Sequence, residues 1–441
     1  MPNPLTTRAR SPRIMVALTA VLLALTTTFG LVSQLWHGFL DLMVYRLGAQ
    51  TWLDGNDIYG HLPALDAGER MVHLPFTYPP LAAIFFSPFA MLPEGLAGAL
   101  MFGLTIASIA VTVWLVLARI RPEMDLRIRL ALVLGTVAAA EFGEPVRMTL
   151  GYGQVNALLM AAVAIDLLVR NPRWPRGLLI GIAISIKLTP AGFLLFFLLR
   201  RDWRGLLTTV ASAIGSVGVV WLLMPDASYK YWFEKLSETS RIGAPYFAGN
   251  QSLKGFAFRL GLSDSAASAL WIGLSLVAIV LAAVWMHRLL TSAGPASSHP
   301  AGVDLSTAVV VNAAAILLVS PISWSHHWVW VVPAIVIALS TVLSGTASAR
   351  FTTVTGLAIV MFYVGPHWLL PSGDDRELDW AWWQQIVGAS YVVFTFAVLA
   401  IGAANALRSA RADRPEQTVI APAARTFRPA VDSRLRRWGA R

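Results

Sequence analysis

The chain has 441 residues, of which 56% are apolar and only 13% charged, and it contains no Cys. Soluble domains carry nearer 25% charged residues, so lipid is the solvent for much of this chain, and disulfides, thiolate metal sites and cysteine nucleophiles are excluded outright. The net charge is +10, and residues 408–441 hold nine Arg against Asp413, Glu416 and Asp432, which is the composition of a disordered cytoplasmic tail touching anionic lipid, not of a nucleic-acid binder.

Met1–Arg13 is basic and turn-rich, and Ile14–Trp36 carries no charge. A run of about 20 apolar residues spans the hydrocarbon core, and without a clear cleavage site it is expected to be an uncleaved first helix with its N-terminus inside. The loop 37–78 is too polar to span and too long for a tight turn, so a folded, partly amphipathic segment lying against the membrane is expected. It opens with Asp41, the first acid of the chain. A carboxylate where an apolar span meets water is costly and invites a chemical role, a helix cap being the plainer alternative.

Pro79–Arg119 is one apolar run interrupted at Pro88 and at Pro93-Glu94. Further spans are expected near 128–142, 153–169, 177–199, 205–224, 266–286, 304–322, 328–348, 351–370 and 381–407. Basic loops at 119–129, 170–176, 200–204 and 287–288, with both termini, belong on the cytoplasmic side. The span 177–199 then starts and ends on that side, so two half-helices turning back near Lys187-Leu-Thr-Pro190 are expected. Broken helices at membrane depth persist only where the freed backbone lines a protein cavity. The expectation is an all-α polytopic membrane protein of about twelve transmembrane helices, one domain over 1–407 and a tail over 408–441. Its extracytoplasmic loops include 37–78 and 226–264, and every concentration of unusual polar residues falls on that face. The Ser-, Gly- and Pro-containing stretch 291–303 reads as an inside loop.

Lys187 is the only charge in 177–199. An ammonium in lipid costs about 2.5–3.5 kcal/mol on insertion scales and needs a partner, either an internal carboxylate such as Asp166 or an anionic ligand; Lys meets phosphate as a compact point charge. Glu144-Pro-Val-Arg147 and Gly151-Tyr-Gly-Gln154-Val-Asn156 gather a carboxylate, a guanidinium and two amides around one outer turn. Such groups suit sugar hydroxyls, which both donate and accept, although a capped helix–helix turn has the same composition. Asn250-Gln251-Ser-Leu-Lys254 offers amide, hydroxyl and ammonium groups to the same face, with Arg241 and Arg259 as further sources of positive charge. Ser320-Pro-Ile-Ser-Trp324-Ser-His326-His327-Trp328 carries adjacent imidazoles and a ring suited to sugars or isoprenoid chains. Neighbouring His side chains on one helix diverge and no acid accompanies them, so hydrogen bonding or proton handling is expected there rather than a metal or other cofactor.

Together, Asp41-Leu-Met-Val-Tyr45, Leu74-Pro-Phe-Thr-Tyr78-Pro-Pro80, Gly151–Asn156, Lys187–Pro190, Asn250-Gln-Ser252 and Ser320–Trp330 resemble one family, in its order. It is that of the polyprenyl-phosphate-mannose-dependent α-(1→2)-mannosyltransferases of actinobacterial phosphatidylinositol mannoside and lipomannan synthesis. The resemblance covers residues 41–330. It implies a GT-C glycosyltransferase fold in the plasma membrane, an extracytoplasmic active site and a lipid-linked sugar donor without nucleotide or metal. The acceptor would be a mannosylated glycolipid. By position the first-loop aspartate, the catalytic base, is Asp41. His326 and His327 become catalytic candidates. Tyr45, Tyr78, Glu144, Arg147, Gln154, Asn156, Lys187, Asn250, Gln251, Lys254 and Trp324 become substrate-binding candidates; members often carry Arg at the place of Lys254. Two alternatives stay open: a polyprenyl-phosphate-arabinose arabinofuranosyltransferase, which shares the Tyr-Pro-Pro loop, and, in a different class, a lipid-linked sugar transporter or flippase.

Overall fold

The computed structural model describes residues 4–66, 71–291 and 301–412. Most of the inner loop 291–303 and all but the first residues of the basic tail lie outside them. The N-terminal part runs α1 (Pro4–His37), α2 (Leu40–Leu53), α3 (Pro80–Ala90), α4 (Glu94–Ile120), α5 (Leu126–Ala140), α6 (Glu144–Tyr152) and α7 (Asn156–Leu168). The middle runs α8 (Leu178–Ile186), α9 (Leu194–Arg200), α10 (Trp203–Leu223), α11 (Pro225–Tyr229) and α12 (Leu253–Arg259). The last part comprises α13 (Asp264–Thr291), α14 (Ala301–Val319), α15 (Val331–Leu343), α16 (Ala349–Val364), α17 (Trp382–Gly388) and α18 (Ser390–Ala412). Among the described residues the only sheet pairs Leu65–Asp66 with Met71–Val72, inside the first outer loop.

Among the described residues seven helices are long and apolar enough to cross a bilayer, and the bent pair α6–α7, taken as one span, brings the number to eight. Their outward residues are apolar: Phe29, Ile214, Leu222 and Leu276 are all at least 60% exposed, which suits a lipid-facing surface and not a watery one. The chain is a helical, polytopic membrane protein. Against the expected twelve passes, α3, α9 and α16 are short apolar helices, because prolines and polar breaks cut the runs that the hydropathy suggests.

Two of those breaks build the site. Gly153 ends α6 with φ +66°, and a Cβ there would lie 2.8 Å from Leu42, so the chain turns through 114° and restarts as α7. Lys187 ends α8 in an extended conformation, and a 3₁₀ turn, Thr189–Phe193, carries the chain into α9. Pro190 has no N–H to continue α8. Thus 177–199 is divided at Lys187-Leu-Thr-Pro190, as expected for it.

The two ends of the bundle differ in chemistry. From Asn156, α7 runs 13 residues, roughly 20 Å at 1.5 Å per residue, to a basic end. There Arg119 donates to Leu168 O (2.6 Å) and Arg176 to the carbonyls of Asp166, Leu167 and Val169. The Asp166 carboxylate accepts from the backbone N–H groups of Gly177 and Ile180 and from the Trp174 indole. It therefore caps the start of α8 at the far end from Lys187 and is not its partner.

Candidate functional site

At the other end lies a cavity of about 520 Å³. Its walls come from α2, the segment 74–79, the α6–α7 bend, the break after α8, the segment 231–242 and the turn before α15. Asp41 sits in the first turn of α2, where the helix dipole favours a negative charge. Its carboxylate accepts from Gln154 Nε2 and lies 3.9 Å from His326 Nε2. The side chain keeps 25% of its surface open, so a ligand can reach it. Burial pushes the Asp41 carboxyl up to about 6, an effect partly offset by the Gln154 hydrogen bond and the nearby Lys187 ammonium.

Lys187 Nζ donates to Asn156 Oδ1 at 2.8 Å, approaches His327 Nε2 at 3.3 Å and lies 5.3 Å from the centre of the Tyr78 ring. The two amides of the bend are therefore each engaged by a charge: Gln154 by the carboxylate, Asn156 by the ammonium. Tyr78 OH pairs with Tyr45 OH at 2.9 Å. Burial raises both phenols, so they stay protonated as hydrogen-bonding groups.

His326 and His327 lie in a 3₁₀ turn, Ser325–Trp330, that is fixed from two sides. From the loop before α12, Asn250 Oδ1 accepts from Ser323 N (3.0 Å), Asn250 Nδ2 donates to Pro321 O (3.3 Å), and Gln251 N donates to Ser323 O (2.8 Å). From the bend, Thr149 Oγ1 donates to His326 O at 2.7 Å. Among the described residues His326 Nε2 is buried without a hydrogen-bond partner, and its ring meets Tyr152 and His327 edge-on.

Asp41, Tyr45, Tyr78, Gln154, Lys187, Trp324 and His327 all line the cavity. Asn156 and His327 line a smaller adjoining pocket of about 50 Å³. Asn250 and Gln251 are fully buried in the clamp beneath, the Gln251 amide donating to Ala248 O and Gly388 O. The remaining candidates fall elsewhere. Glu144 is fully buried, accepts from Trp368 Nε1 (2.7 Å) and Tyr391 OH (2.8 Å) and lies 3.6 Å from His367. Its oxygens are committed to protein groups, not open to sugar. Arg147 is exposed on α6 and outside the cavity lining. Lys254 is turned by α12 toward Phe258 and Trp271, 5.4 and 5.2 Å from their ring centres. Arg259 is buried and donates to the carbonyls of Tyr246, Phe247 and Asn250. The outer cations of the cavity are instead Lys235 and Arg241. Arg241 donates to Phe76 O (3.3 Å) and lies over Tyr59. Arg241 is thus a specific wall residue and not only a general source of charge, and Lys235, which no sequence motif singles out, is brought to the cavity at the end of a π-helical turn, Lys230–Lys235, where it pairs with Glu238. Among the described residues no group of three His, Cys, Asp or Glu side chains comes together to hold a metal.

The sequence model of glycosyltransferase family 87 matches residues 76–321. A polyprenol-phosphate-mannose-dependent alpha-(1-2)-phosphatidylinositol mannoside mannosyltransferase of Mycolicibacterium smegmatis is 37% identical over 406 residues, 88% of this chain and 90% of its own. A polyprenol-phosphate-mannose-dependent alpha-(1-2)-phosphatidylinositol pentamannoside mannosyltransferase of the same organism is 34% identical over 366 residues, 82% and 84% of the two chains. ArnT from Cupriavidus metallidurans, solved bound to undecaprenyl phosphate, aligns over 87% of this chain and 77% of its own at 15% identity and a TM-score of 0.39, a likeness too loose to argue from.

Proposed function

We propose, since the chain belongs to glycosyltransferase family 87, that it transfers mannose from polyprenyl-phosphate-mannose to the 2-hydroxyl of a mannoside. The acceptor is a phosphatidylinositol mannoside or a related mannosylated glycolipid, the acceptor class for which its relatives are named. The observation that carries this reading is the meeting, in one cavity, of a half-buried carboxylate, Asp41, with a half-buried ammonium, Lys187; the other carboxylate of the lining, Glu238, is already paired with Lys235 at 2.8 Å.

In this mechanism Asp41 accepts the proton of the attacking hydroxyl as its oxygen bonds to the anomeric carbon. The bond from that carbon to the phosphate oxygen breaks, and polyprenyl phosphate leaves with the electron pair. A β-linked donor and an α-linked product require this single inverting displacement. Charge grows on the phosphate during departure, and Lys187, with Arg241 on the same cavity wall, is the group to meet it, Lys235 being paired with Glu238 at 2.8 Å. Gln154 holds the carboxylate in its accepting position. Trp324, in the cavity lining, offers a flat apolar face to a sugar ring. The architecture proposed is a GT-C arrangement of about twelve passes, counting the halves of broken helices, with both termini in the cytoplasm and the cavity facing outward from the plasma membrane.

The test is incubation of the purified chain with labelled polyprenyl-phosphate-mannose and a panel of mannoside acceptors, followed by linkage analysis. Formation of α-(1→2) dimannoside is the expected outcome. No transfer, or transfer to another hydroxyl, overturns the reading.

A further inference from the structure

Asn156 is the second polar residue of the bend, and its amide is engaged at both ends. Oδ1 accepts from Lys187 Nζ at 2.8 Å, and Nδ2 faces His326 O at 3.4 Å, beside the 2.7 Å hydrogen bond from Thr149. The amide orientation follows from these partners: turned over, it would aim its NH₂ at an ammonium and its oxygen at a carbonyl.

We propose that Asn156 is a positioning residue for the donor phosphate, acting through Lys187 by fixing which ammonium N–H bond is presented to the cavity. This rests on the lipid-phosphate donor read above. An ammonium has three N–H bonds. One is taken by Asn156; a second points to His327 Nε2 at 3.3 Å, which as an acceptor is the unprotonated nitrogen of that ring. The third is left for the cavity that Lys187 lines, on the side where a phosphate oxygen would stand. A neutral acceptor is needed in this place. It orients the ammonium without cancelling its charge, whereas a carboxylate at the same position would neutralise Lys187 before any ligand arrived. An apolar side chain would leave the flexible lysine stem without a direction. Asn156 therefore serves the substrate without touching it, which is why so polar a residue can be 91% buried (9% exposed) at the start of an otherwise apolar helix.

The experiment is titration of a synthetic polyprenyl phosphate into the purified full-length chain in detergent, wild type against Asn156→Asp and Asn156→Ala, alongside separate KM values for donor and acceptor. Asn156→Asp is nearly isosteric and retains a partner for Lys187, so it is expected to elute as folded protein, melting somewhat lower than the wild type because an oxygen replaces the NH₂ that faces His326 O. It should bind polyprenyl phosphate roughly 10- to 100-fold more weakly, the scale of one hydrogen bond to a charged group. The donor KM should rise with it, and the acceptor KM should stay within about twofold. Asn156→Ala should weaken the same binding several-fold. A purely structural role would lower the yield of folded protein and move both KM values together. Wild-type affinity for polyprenyl phosphate in either substituted protein overturns the proposal. Should the wild type itself fail to bind polyprenyl phosphate, the donor reading beneath it falls instead, and the same titration separates the two failures.

Discussion

Replacing Asp41 by Asn removes the proposed base and leaves its surroundings in place, since the amide oxygen of Asn can still accept from Gln154 Nε2, the present partner of the carboxylate. Position-specific general-base catalysis is worth ~10²–10⁴-fold, so kcat should fall by about three orders of magnitude while the donor KM changes only a few-fold. The wild-type pH profile carries the same information. Burial raises the Asp41 carboxyl from 3.8 to about 6, and only the ionised form accepts a proton. The value of kcat/KM should therefore decline about tenfold per pH unit below 6 and level off above it. Stability should move in the opposite sense to activity. The folded state holds this proton at pH values where the unfolded chain has released it. The ionised carboxylate therefore costs the fold nothing below about pH 4, progressively more between 4 and 6, and its full penalty above 6. A shift of about two units at 1.36 kcal/mol each puts that penalty at no more than ~3 kcal/mol. Asp41→Asn should thus melt a few degrees higher than the wild type at pH 7.5, and the difference should vanish near pH 4. A substituted enzyme with normal turnover, or a wild-type profile flat from pH 5 to 8, would refute the reasoning.

Lys187→Gln keeps a hydrogen-bonding side chain at the break but removes the charge; donor kcat/KM should fall about 100-fold or more, measured with the acceptor saturating, and an unchanged value would remove Lys187 from the phosphate. Trp324→Ala should raise the KM for mannoside acceptors about tenfold, the scale of one aromatic face, with kcat less affected; a kcat loss alone would instead mark Trp324 as a support for the histidine turn. Glu144→Gln should act on the fold and not on the chemistry. Its buried carboxylate accepts from Trp368 and Tyr391, and an NH₂ facing one of those donors should cost about 1–3 kcal/mol of stability, seen as a lower melting temperature with the folded fraction turning over at a near-normal rate.

The parts of the site legible in the sequence are those where a residue breaks the rule of its surroundings. Asp41 is an acid at the edge of an apolar run, Lys187 a cation followed closely by Pro190 inside another, and Gly153 a residue able to take the φ of +66° that ends α6. Each forces a helix to start, stop or turn, and those stops are what the cavity is made from. Glu144 was not legible in this way. Its sequence neighbours suggested an open polar turn, but its partners Trp368 and Tyr391 arrive 224 and 247 residues later and close over it. Lys254 failed for the opposite reason: it adjoins the Asn250-Gln251-Ser252 clamp in sequence, yet α12 rotates it toward Trp271. Local patterning reports where a backbone must break; it does not report which distant side chains will fill the space.

That distinction also explains why the amides of the bend invite a sugar-binding reading and end up elsewhere. A carboxylate and an ammonium facing the same cavity would pair directly if nothing held them apart, and a paired Asp41 would be a weak base and a paired Lys187 a weak phosphate ligand. Gln154 engages the first and Asn156 the second, each through a neutral group of the matching polarity. The two charges are thereby kept within electrostatic reach, each lowering the cost of the other's burial, without being spent on each other. A 114° bend whose break holds Gln154 and whose second helix opens on Asn156 is a compact way to hold both, and it requires the glycine at its corner. The separation is testable as a pair: Gln154→Glu and Asn156→Asp each add a carboxylate on one side of the bend. The first should raise the acid limb of the pH profile by placing a second negative charge beside Asp41. The second should weaken donor binding, and, by neutralising the ammonium that holds the Asp41 carboxyl down, should raise that limb by less than the first. If Gln154→Glu weakened donor binding as much as Asn156→Asp does, the two amides would be acting as one structural unit, and the division of labour argued from the geometry would be wrong.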